Sequence, residues 1–176
     1  MIEVKKILII RFSSISDIAW TSPVIRCVKK QIPGVALHFA TEMRYKSMVE
    51  ANPYIDKIHY LEESLGDLIK ELGQERFDFI IDLHNNFRTT LIKLRLGVRS
   101  GTYDKLRWQR FLFTNFQIDF MPNCHVVDRY FEAASPLGIV NDNEGLDYFI
   151  PEKDEVEPEW LPESFRKGLC GLCDRR

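Results

Sequence analysis

The fold is decided by the stretch at residues 6–23, KILIIRFSSISDIAWTSP. Its first five residues are a continuous apolar run, which is typical of a strand buried on both faces of a sheet. The polar, serine-rich residues 11–17 then predict a loop. Thr21 or Ser22 is placed to cap a helix whose first turn contains Pro23, a favoured position for proline. The stretch therefore predicts a strand, a polar loop and a helix in succession.

The same alternation continues outward from this stretch to residue 150. Further strands are predicted at residues 35–40, 55–61, 77–83, 98–102 and 147–150, and helices at residues 22–32, 45–51, 65–72, 87–96 and 125–134. Strands that alternate with helices predict a parallel sheet with both faces covered. The predicted fold class is therefore α/β, a doubly wound domain with a mostly parallel sheet, and we assign residues 1–150 to it.

Composition excludes several classes of protein. Of the 176 residues, 45% are hydrophobic and 12% aromatic, which is enough for a buried core and excludes a disordered chain. The 24 basic and 26 acidic side chains nearly cancel, which argues against nucleic acid as a partner. There is no apolar run of about 18 residues that could span a membrane, and the first residues lack the pattern of a signal peptide. We therefore expect a cytoplasmic location.

The last part of the sequence differs from the rest in charge. Residues 141–163 contain nine acidic residues, one base and three prolines, which is typical of a linker or an exposed tail. We therefore assign residues 151–176 to an acidic linker and a truncated tail. The pair Cys170 and Cys173 forms a single CxxC, which is either half of a metal or redox site or a chance spacing. Cys27 is most simply a buried thiol.

The common cofactor motifs are absent from the sequence. It has no GxGxxG after the first strand, no GxxxxGK[ST], no GxSxG and no HExxH. The four histidines, at positions 38, 59, 84 and 125, are not at metal-ligand spacing, so no metal site is predicted. Ligands of open α/β sheets bind beyond the carboxyl ends of the strands. The loops at residues 11–17 and 84–88 are therefore the candidate binding loops.

Three segments carry a family resemblance. Residues 11–23, RFSSISDIAWTSP, resemble the start of the heptosyltransferases of glycosyltransferase family 9, whose pattern is R-x-S-S-x-G-D followed by T-x-P. Residues 81–89, IDLHNNFRT, are similar to that family's D-L-(Q/H)-x-N-x-R-(S/T) segment. Residues 125–130, HVVDRY, with Leu137-Gly138 after them, are the third match. The resemblance implies the Rossmann-like N-terminal, acceptor-side domain of a GT-B glycosyltransferase.

The resemblance also implies an activity. It is the inverting transfer of heptose from ADP-heptose to a sugar of the lipopolysaccharide core, with no obligatory metal. Asp17 would then be the general base that takes the proton of the acceptor hydroxyl. The local sequence allows the alternative that Asp17 only caps the following helix. Ser13 and Ser14 would bind the acceptor or the leaving phosphate.

The second segment supplies further candidate acceptor contacts. His84, Asn86 and Arg88 would bind the acceptor glycolipid if the resemblance holds. The alternative is that Asn86 organises the turn and caps the next helix, that His84 is a loop histidine with satisfied hydrogen bonds, and that Arg88 lies on a solvated face.

The segment that follows is basic and then aromatic. Residues 88–110 contain seven bases against one acid and lead into apolar and aromatic residues, which suits a phosphorylated lipid at a membrane surface. Lys105, Arg107 and Arg110 are the predicted acceptor-binding residues here, and peripheral contact with the inner face of the membrane is part of this prediction. The alternative is a solvated helix face followed by a core-packing segment.

Two departures from the family pattern affect the prediction. Ser16 stands where the family has a glycine, and a serine can constrain the loop or crowd the acceptor. The chain is also about half the family's length, so we expect ADP-heptose binding to need a missing C-terminal nucleotide-binding half. The predicted protein is thus the N-terminal part of a heptosyltransferase, inactive without that half. The alternatives are a non-catalytic α/β module that binds a glycolipid or another partner, or an unrelated small α/β domain.

Overall fold

The computed structural model describes residues 4–104, 114, 125–151 and 154. Five strands form one sheet: β1 (Lys6–Ile10), β2 (Ala36–Glu42), β3 (Lys57–Leu61), β4 (Phe79–Asp82) and β5 (Ser100–Thr102). Their spatial order is β3-β2-β1-β4-β5, and every pair is parallel. The prediction of a doubly wound α/β domain is confirmed, with a sheet that is entirely parallel in the described residues.

Helices cover both faces of the sheet. They are α1 (Ile15–Ala19), α2 (Ser22–Gln31), α3 (Leu65–Glu75), α4 (Phe87–Leu96) and α5 (Val126–Ala134), with 3₁₀ turns at Met43–Met48 and Ser135–Leu137. Within the described ranges, none of these helices has the length and apolar character needed to cross a bilayer.

The central strand β1 is buried on both faces, as its apolar run predicted. Ile7 and Ile9 point into the core that includes α2 and α5, whereas Leu8 and Ile10 point into the core that includes α3 and α4. All four side chains have no exposed surface. Burial of one such side chain contributes about 1.5–3 kcal/mol, so β1 stabilises the packing of both helical layers on the sheet.

Strand β5 and helix α5 approach each other very closely. A Cβ placed on Gly101 would lie 1.9 Å from the carbonyl oxygen of Ala133 in α5. Only a hydrogen atom fits between the two elements at this point, so glycine is required here for packing.

Two local predictions are wrong. The first is the loop at residues 11–17, because its second half forms α1. Ser14 and Asp17 form a capping box that starts this helix, and such boxes satisfy backbone N–H groups that a helix start leaves without partners. The second is the strand at residues 147–150, which has no strand partner in the described structure.

The acidic run is partly folded against the domain. Arg26 in α2 is 2% exposed and forms a two-pronged pair with Asp142, with Nε–Oδ2 and Nη2–Oδ1 distances of 2.8 and 2.6 Å. Its third nitrogen donates to Asp147 at 2.5 Å. The interpretation of residues 141–163 as a linker or an exposed tail is therefore wrong for Asp142 and Asp147, whereas residues 143–146 between them are exposed. Most of residues 151–176 lie outside the described residues, and their assignment to a linker and tail stays a prediction.

Candidate functional site

The candidate site lies where the order of the sheet reverses. From β1 the chain builds β2 and β3 on one side, and it later places β4 and β5 on the other. The loops after β1 and β4 are therefore neighbours at the carboxyl edge, where the N–H of Leu83 donates to the carbonyl of Ile10 at 3.1 Å. This switch point is where open α/β sheets bind ligands, and both predicted binding loops reach it.

Arg11 ties the two loops together. It is 5% exposed, and its guanidinium forms an ion pair with Asp17. The guanidinium also donates to the carbonyl oxygens of Ser13, in the loop after β1, and Leu83, in the loop after β4. It lies 3.3 Å from the hydroxyl of Tyr103 and 5.7 Å from the ring centroid of Tyr130. The sequence did not single out Arg11 as a site residue, although it is the first residue of the family's R-x-S-S-x-G-D pattern.

Asp17 lies in the first turn of α1, and its side chain is 27% exposed. Its Oδ2 accepts hydrogen bonds from the backbone N–H and the hydroxyl of Ser14, at 3.1 and 3.0 Å, and also faces Arg11. Partial burial raises the pKa of Asp17, but the Ser14 hydrogen bonds and the Arg11 charge outweigh it and hold the pKa below its usual range. Asp17 is therefore ionised at neutral pH. Within the described residues its Oδ1 receives no hydrogen bond.

The serines around Asp17 have separate roles. Ser14 is exposed, and its hydroxyl lies 3.2 Å from the hydroxyl of Ser16. Ser13 is half-buried, and its backbone carbonyl accepts from Arg11. Ser16 is exposed inside helical backbone, where a positive φ is not needed, so the loss of the family's glycine is compatible with the observed conformation.

The turn after β4 is built around a buried carboxylate. Asp82 has no exposed surface, and its Oδ1 accepts from the N–H groups of His84 and Asn85, at 3.0 and 2.8 Å. Its Oδ2 lies 2.7 Å from the ammonium of Lys93. His84 is buried, and its ring packs edge-on against Phe12 with a centroid distance of 5.6 Å. His84 therefore joins the Arg11 and Asp17 loop through this aromatic contact.

Asn86 and Arg88 lie at the start of α4. Asn86 is the N-cap: its Oδ1 accepts from the N–H of Thr89 at 3.0 Å, and its own N–H donates to the Thr89 hydroxyl at 3.0 Å. The structure thus places Asn86 in the capping arrangement that the sequence allowed. Arg88 is exposed, and its guanidinium lies 5.9 Å from the Phe12 ring centroid.

A cavity of about 340 Å³ lies beside Arg88 at the carboxyl ends of β2 and β3. Arg88 reaches into its wall and donates to Glu42 at 3.1 Å, while Arg44 pairs with the second oxygen of the same carboxylate. The other lining residues are Met43, Leu61 and Glu62. Glu42 and Arg44 were missed in the sequence because neither belongs to a motif, and only the sheet order brings them to Arg88.

The third sequence segment also contributes to this site. His125 caps α5 by accepting the N–H of Val127 at 3.2 Å, and its ring packs edge-on against Trp20. Tyr130 is fully buried under the Arg11 guanidinium. Burial raises the pKa of Tyr130 far above its usual range, so it stays neutral. The predicted acceptor residues Lys105, Arg107 and Arg110 lie outside the described residues.

Comparison with known proteins agrees on one family. The profile of glycosyltransferase family 9 (heptosyltransferase) matches residues 65–159. Lipopolysaccharide heptosyltransferase 1 of Campylobacter coli is 25% identical over 142 residues, which are 74% of this chain and 41% of that protein.

Solved structures show the same fold. The family 9 glycosyl transferase of Veillonella parvula superimposes with a TM-score of 0.66 at 21% identity, covering 86% of this chain and 47% of that one. The E. coli heptosyltransferase WaaC with ADP gives 0.63 at 20% identity, covering 82% and 51%. The chain thus spans about half the length of the relatives it matches.

Proposed function

The chain belongs to glycosyltransferase family 9, the heptosyltransferase family, and we propose that it supplies the acceptor side of an inverting glycosyltransferase. The observation that carries this proposal is the state of Asp17. Its carboxylate lies at the switch point of the sheet, with Oδ2 held by Ser14 and Arg11 and Oδ1 left open in the described residues. A carboxylate fixed through one oxygen presents the other in a defined direction, as a general base requires.

In the proposed reaction Asp17 Oδ1 takes the proton of the acceptor hydroxyl. The hydroxyl oxygen then forms a bond to the anomeric carbon of the donor sugar, and the bond from that carbon to the nucleoside diphosphate breaks. Attack from the face opposite the leaving group inverts the anomeric centre, as in the general-base half of an inverting glycosidase. The Arg11 charge keeps Asp17 ionised at neutral pH and fixes its orientation, at the cost of a lower basicity.

The acceptor is proposed to be the lipopolysaccharide core glycolipid. Arg44 and Arg88 line the cavity at the ends of β2 and β3, and guanidinium groups pair well with carboxylates and phosphates. Ser13, Ser14, His84 and Asn86 would contact the same glycolipid from the two loops. Lys105, Arg107 and Arg110 complete the proposed acceptor surface and would bring the domain to the inner face of the membrane.

The donor belongs to a second domain in this proposal. The matched relatives are about twice as long as this chain. The proposed donor, ADP-heptose, would bind to a second, nucleotide-binding half, and the longer relatives have enough residues for such a half. No further cofactor is needed for the proposed chemistry.

A matched pair of variants tests the role of Asp17. Asp17→Asn keeps an oxygen for the capping box but cannot take a proton, whereas Asp17→Ala loses both functions. Heptose transfer to a heptose-free lipopolysaccharide core is measured with the donor half supplied in trans. We expect Asp17→Asn to leave core binding within about threefold and to lower transfer by about 10²–10⁴-fold. Transfer at the wild-type rate by Asp17→Asn would refute the proposal.

One observation favours a second candidate, a non-catalytic module that binds a glycolipid. The contacts between Asp17 and Ser14 are also those of an ordinary helix cap. Under this alternative, core glycolipid binds with salt-sensitive affinity, transfer is absent with any donor half, and Asp17→Asn leaves glycolipid binding unchanged.

A further inference from the structure

Two histidines that are far apart in sequence meet inside the domain. His38 in β2 and His59 in β3 lie on neighbouring strands, and Nδ1 of His38 is 2.9 Å from Nε2 of His59. Their side chains are 5% and 0% exposed. A carboxylate oxygen of Glu75, at the end of α3, completes a group in which all three ligand atoms lie within 4.8 Å of one another. The family resemblance and the proposed transfer reaction use none of these residues.

A second carboxylate fixes the orientation of this pair. Glu71 Oε1 lies 2.5 Å from Nδ1 of His59, so this nitrogen carries the proton and Nε2 keeps its lone pair. Nε2 then accepts the Nδ1 proton of His38. A carboxylate that holds the outer nitrogen of a histidine is the usual support of a metal-binding imidazole.

The histidines are held in the neutral form that metal ions bind. The pKa of His38 is lowered to about 4, mainly by burial and secondly by the neighbouring His59. Burial also lowers the pKa of His59, and this outweighs the opposing effect of the Glu71 hydrogen bond and charge. At neutral pH no proton has to be removed from an imidazolium before an ion can bind.

We propose that His38 Nδ1, His59 Nε2 and the Glu75 carboxylate form a binding site for a divalent transition-metal ion of the zinc class. Two imidazoles and one carboxylate, with water in the fourth position, are an established ligand set for tetrahedral zinc. Ligand bonds of about 2.0–2.1 Å in that geometry place the two nitrogens about 3.3 Å apart. The histidines therefore separate by a few tenths of an ångström when the ion enters. The His38 proton leaves Nδ1 and Nε2 takes one from water, so the ring stays neutral.

Two lysines compete with the ion for Glu75. The ammonium groups of Lys6 and Lys57 lie 2.8 and 2.5 Å from its carboxylate oxygens. These contacts outweigh the opposing effect of burial and lower the pKa of Glu75 to about 2. The ion must displace at least one of these ammonium groups. Removing Lys57, whose side chain is 47% exposed, is therefore expected to strengthen metal binding.

The proposed site has a partly exposed side and a structural role. Glu71, which contacts His59, lines a cavity of about 420 Å³ beside β3 and is 44% exposed, and the Glu75 side chain is 18% exposed. The ligands belong to two strands and one helix, and the cluster lies on the α3 face, whereas Asp17 lies beyond the carboxyl end of β1. The bound ion would thus tie β2, β3 and α3 together and take no part in sugar transfer.

The test is a titration of the full, tag-free chain with zinc chloride alone, followed by calorimetry. It is run in a Cys170→Ser/Cys173→Ser background, because a CxxC pair can itself bind zinc. We expect one ion per chain and a rise of the melting temperature by several degrees at saturation. Titration with Co²⁺ should give the intense visible absorption of a tetrahedral site. A chain that binds no zinc at millimolar concentration overturns the proposal.

Variants separate this site from surface binding. His38→Gln and His59→Gln should abolish stoichiometric binding, and His125→Gln, which removes a histidine outside the cluster, should leave it unchanged. Because the first two changes are in the core, two variants at half-exposed side chains carry the test if those proteins do not fold. Glu71→Gln should weaken binding by about 10–100-fold, and Lys57→Gln should strengthen it several-fold. Equal affinity in both of these variants and the parent chain contradicts the proposed ligand set.

Discussion

Arg11 and Arg26 are both almost completely buried in this domain, and their surroundings differ. Arg11, at the switch point, is held by backbone carbonyls, two tyrosines and a single carboxylate. Arg26, in α2, is held by Asp142 and Asp147, with Glu144 at 3.7 Å. Arg26 is surrounded by more than enough negative charge, and the acidic segment that provides it also contacts α2 through Ser22 and Lys30. Burial of a charge therefore does not by itself mark a functional site; Arg11 differs from Arg26 in its place at the carboxyl edge of the sheet, where it joins the loops after β1 and β4.

The largest effect is expected for Arg11→Met. The change leaves the carbonyl of Leu83 and the carboxylate of Asp17 without their cationic partner, so unfolding in urea should show a loss of about 3–5 kcal/mol. The loop that presents Asp17 also loses its link to the loop after β4. Core glycolipid binding should therefore fall even at temperatures where the variant is folded. Unchanged binding by the folded variant would remove Arg11 from the proposed site.

Arg26→Met is the matched control and should have a smaller effect. The acids it leaves behind are partly exposed, as Asp17 is, and can be hydrated. No carbonyl of a fully buried residue such as Leu83 loses its partner, so we expect a smaller loss of about 2–4 kcal/mol in the same urea measurement. Glycolipid affinity of the folded variant should equal that of the wild type. A large loss of affinity would show that the two arginines are not separable in function.

The individual acids on Arg26 sharpen the comparison further. Asp142 forms two hydrogen bonds with the guanidinium and Asp147 forms one. We expect Asp142→Asn to cost about 1.5–3 kcal/mol in unfolding free energy and Asp147→Asn about half as much. Equal losses from the two variants would show that the two-pronged geometry adds nothing to the free energy of unfolding.

The smallest effect concerns pH. Hydrogen bonding to Arg26 outweighs burial and lowers the pKa of Asp142 below its ordinary value of 3.8, so the unfolded chain binds its proton more readily than the folded one. The pair is therefore fully stabilising above about pH 4. Its contribution, on the order of 1 kcal/mol, is lost as the pH falls below that value. Urea unfolding at pH 5 and pH 3 should show this loss in the wild type and a smaller one in Arg26→Met.

The sequence predicted what is local. The apolar run of β1 identifies a buried strand by its composition alone, and the serine and aspartate of the first loop and Asn86 before its helix act on residues within a few positions of themselves. The exception within this range is α1, because a capping box inside a serine-rich stretch is indistinguishable from a polar loop by composition.

What the sequence missed depends on how strands are ordered. Arg26 and Asp147 are 121 residues apart, and His38 and His59 are 21 apart. Their contacts follow from the register of β2 with β3 and from the path of the chain after α5, which no spacing in the sequence encodes. The spacing criterion for metal-binding histidines applies within one element, so it does not detect the approach of His38 to His59 on neighbouring strands.

Gly101 has a consequence for how this family would be studied by alignment. A methyl group there would push α5 away from β5, and α5 carries the Tyr130 ring that lies under Arg11. Selection would remove every other amino acid at this position, although Gly101 has no side chain that could bind a substrate or move a proton. An invariant alignment position beside the candidate site would then reflect only the close approach of two backbones. A ranking of site residues by conservation alone would wrongly place this glycine among the catalytic and binding residues.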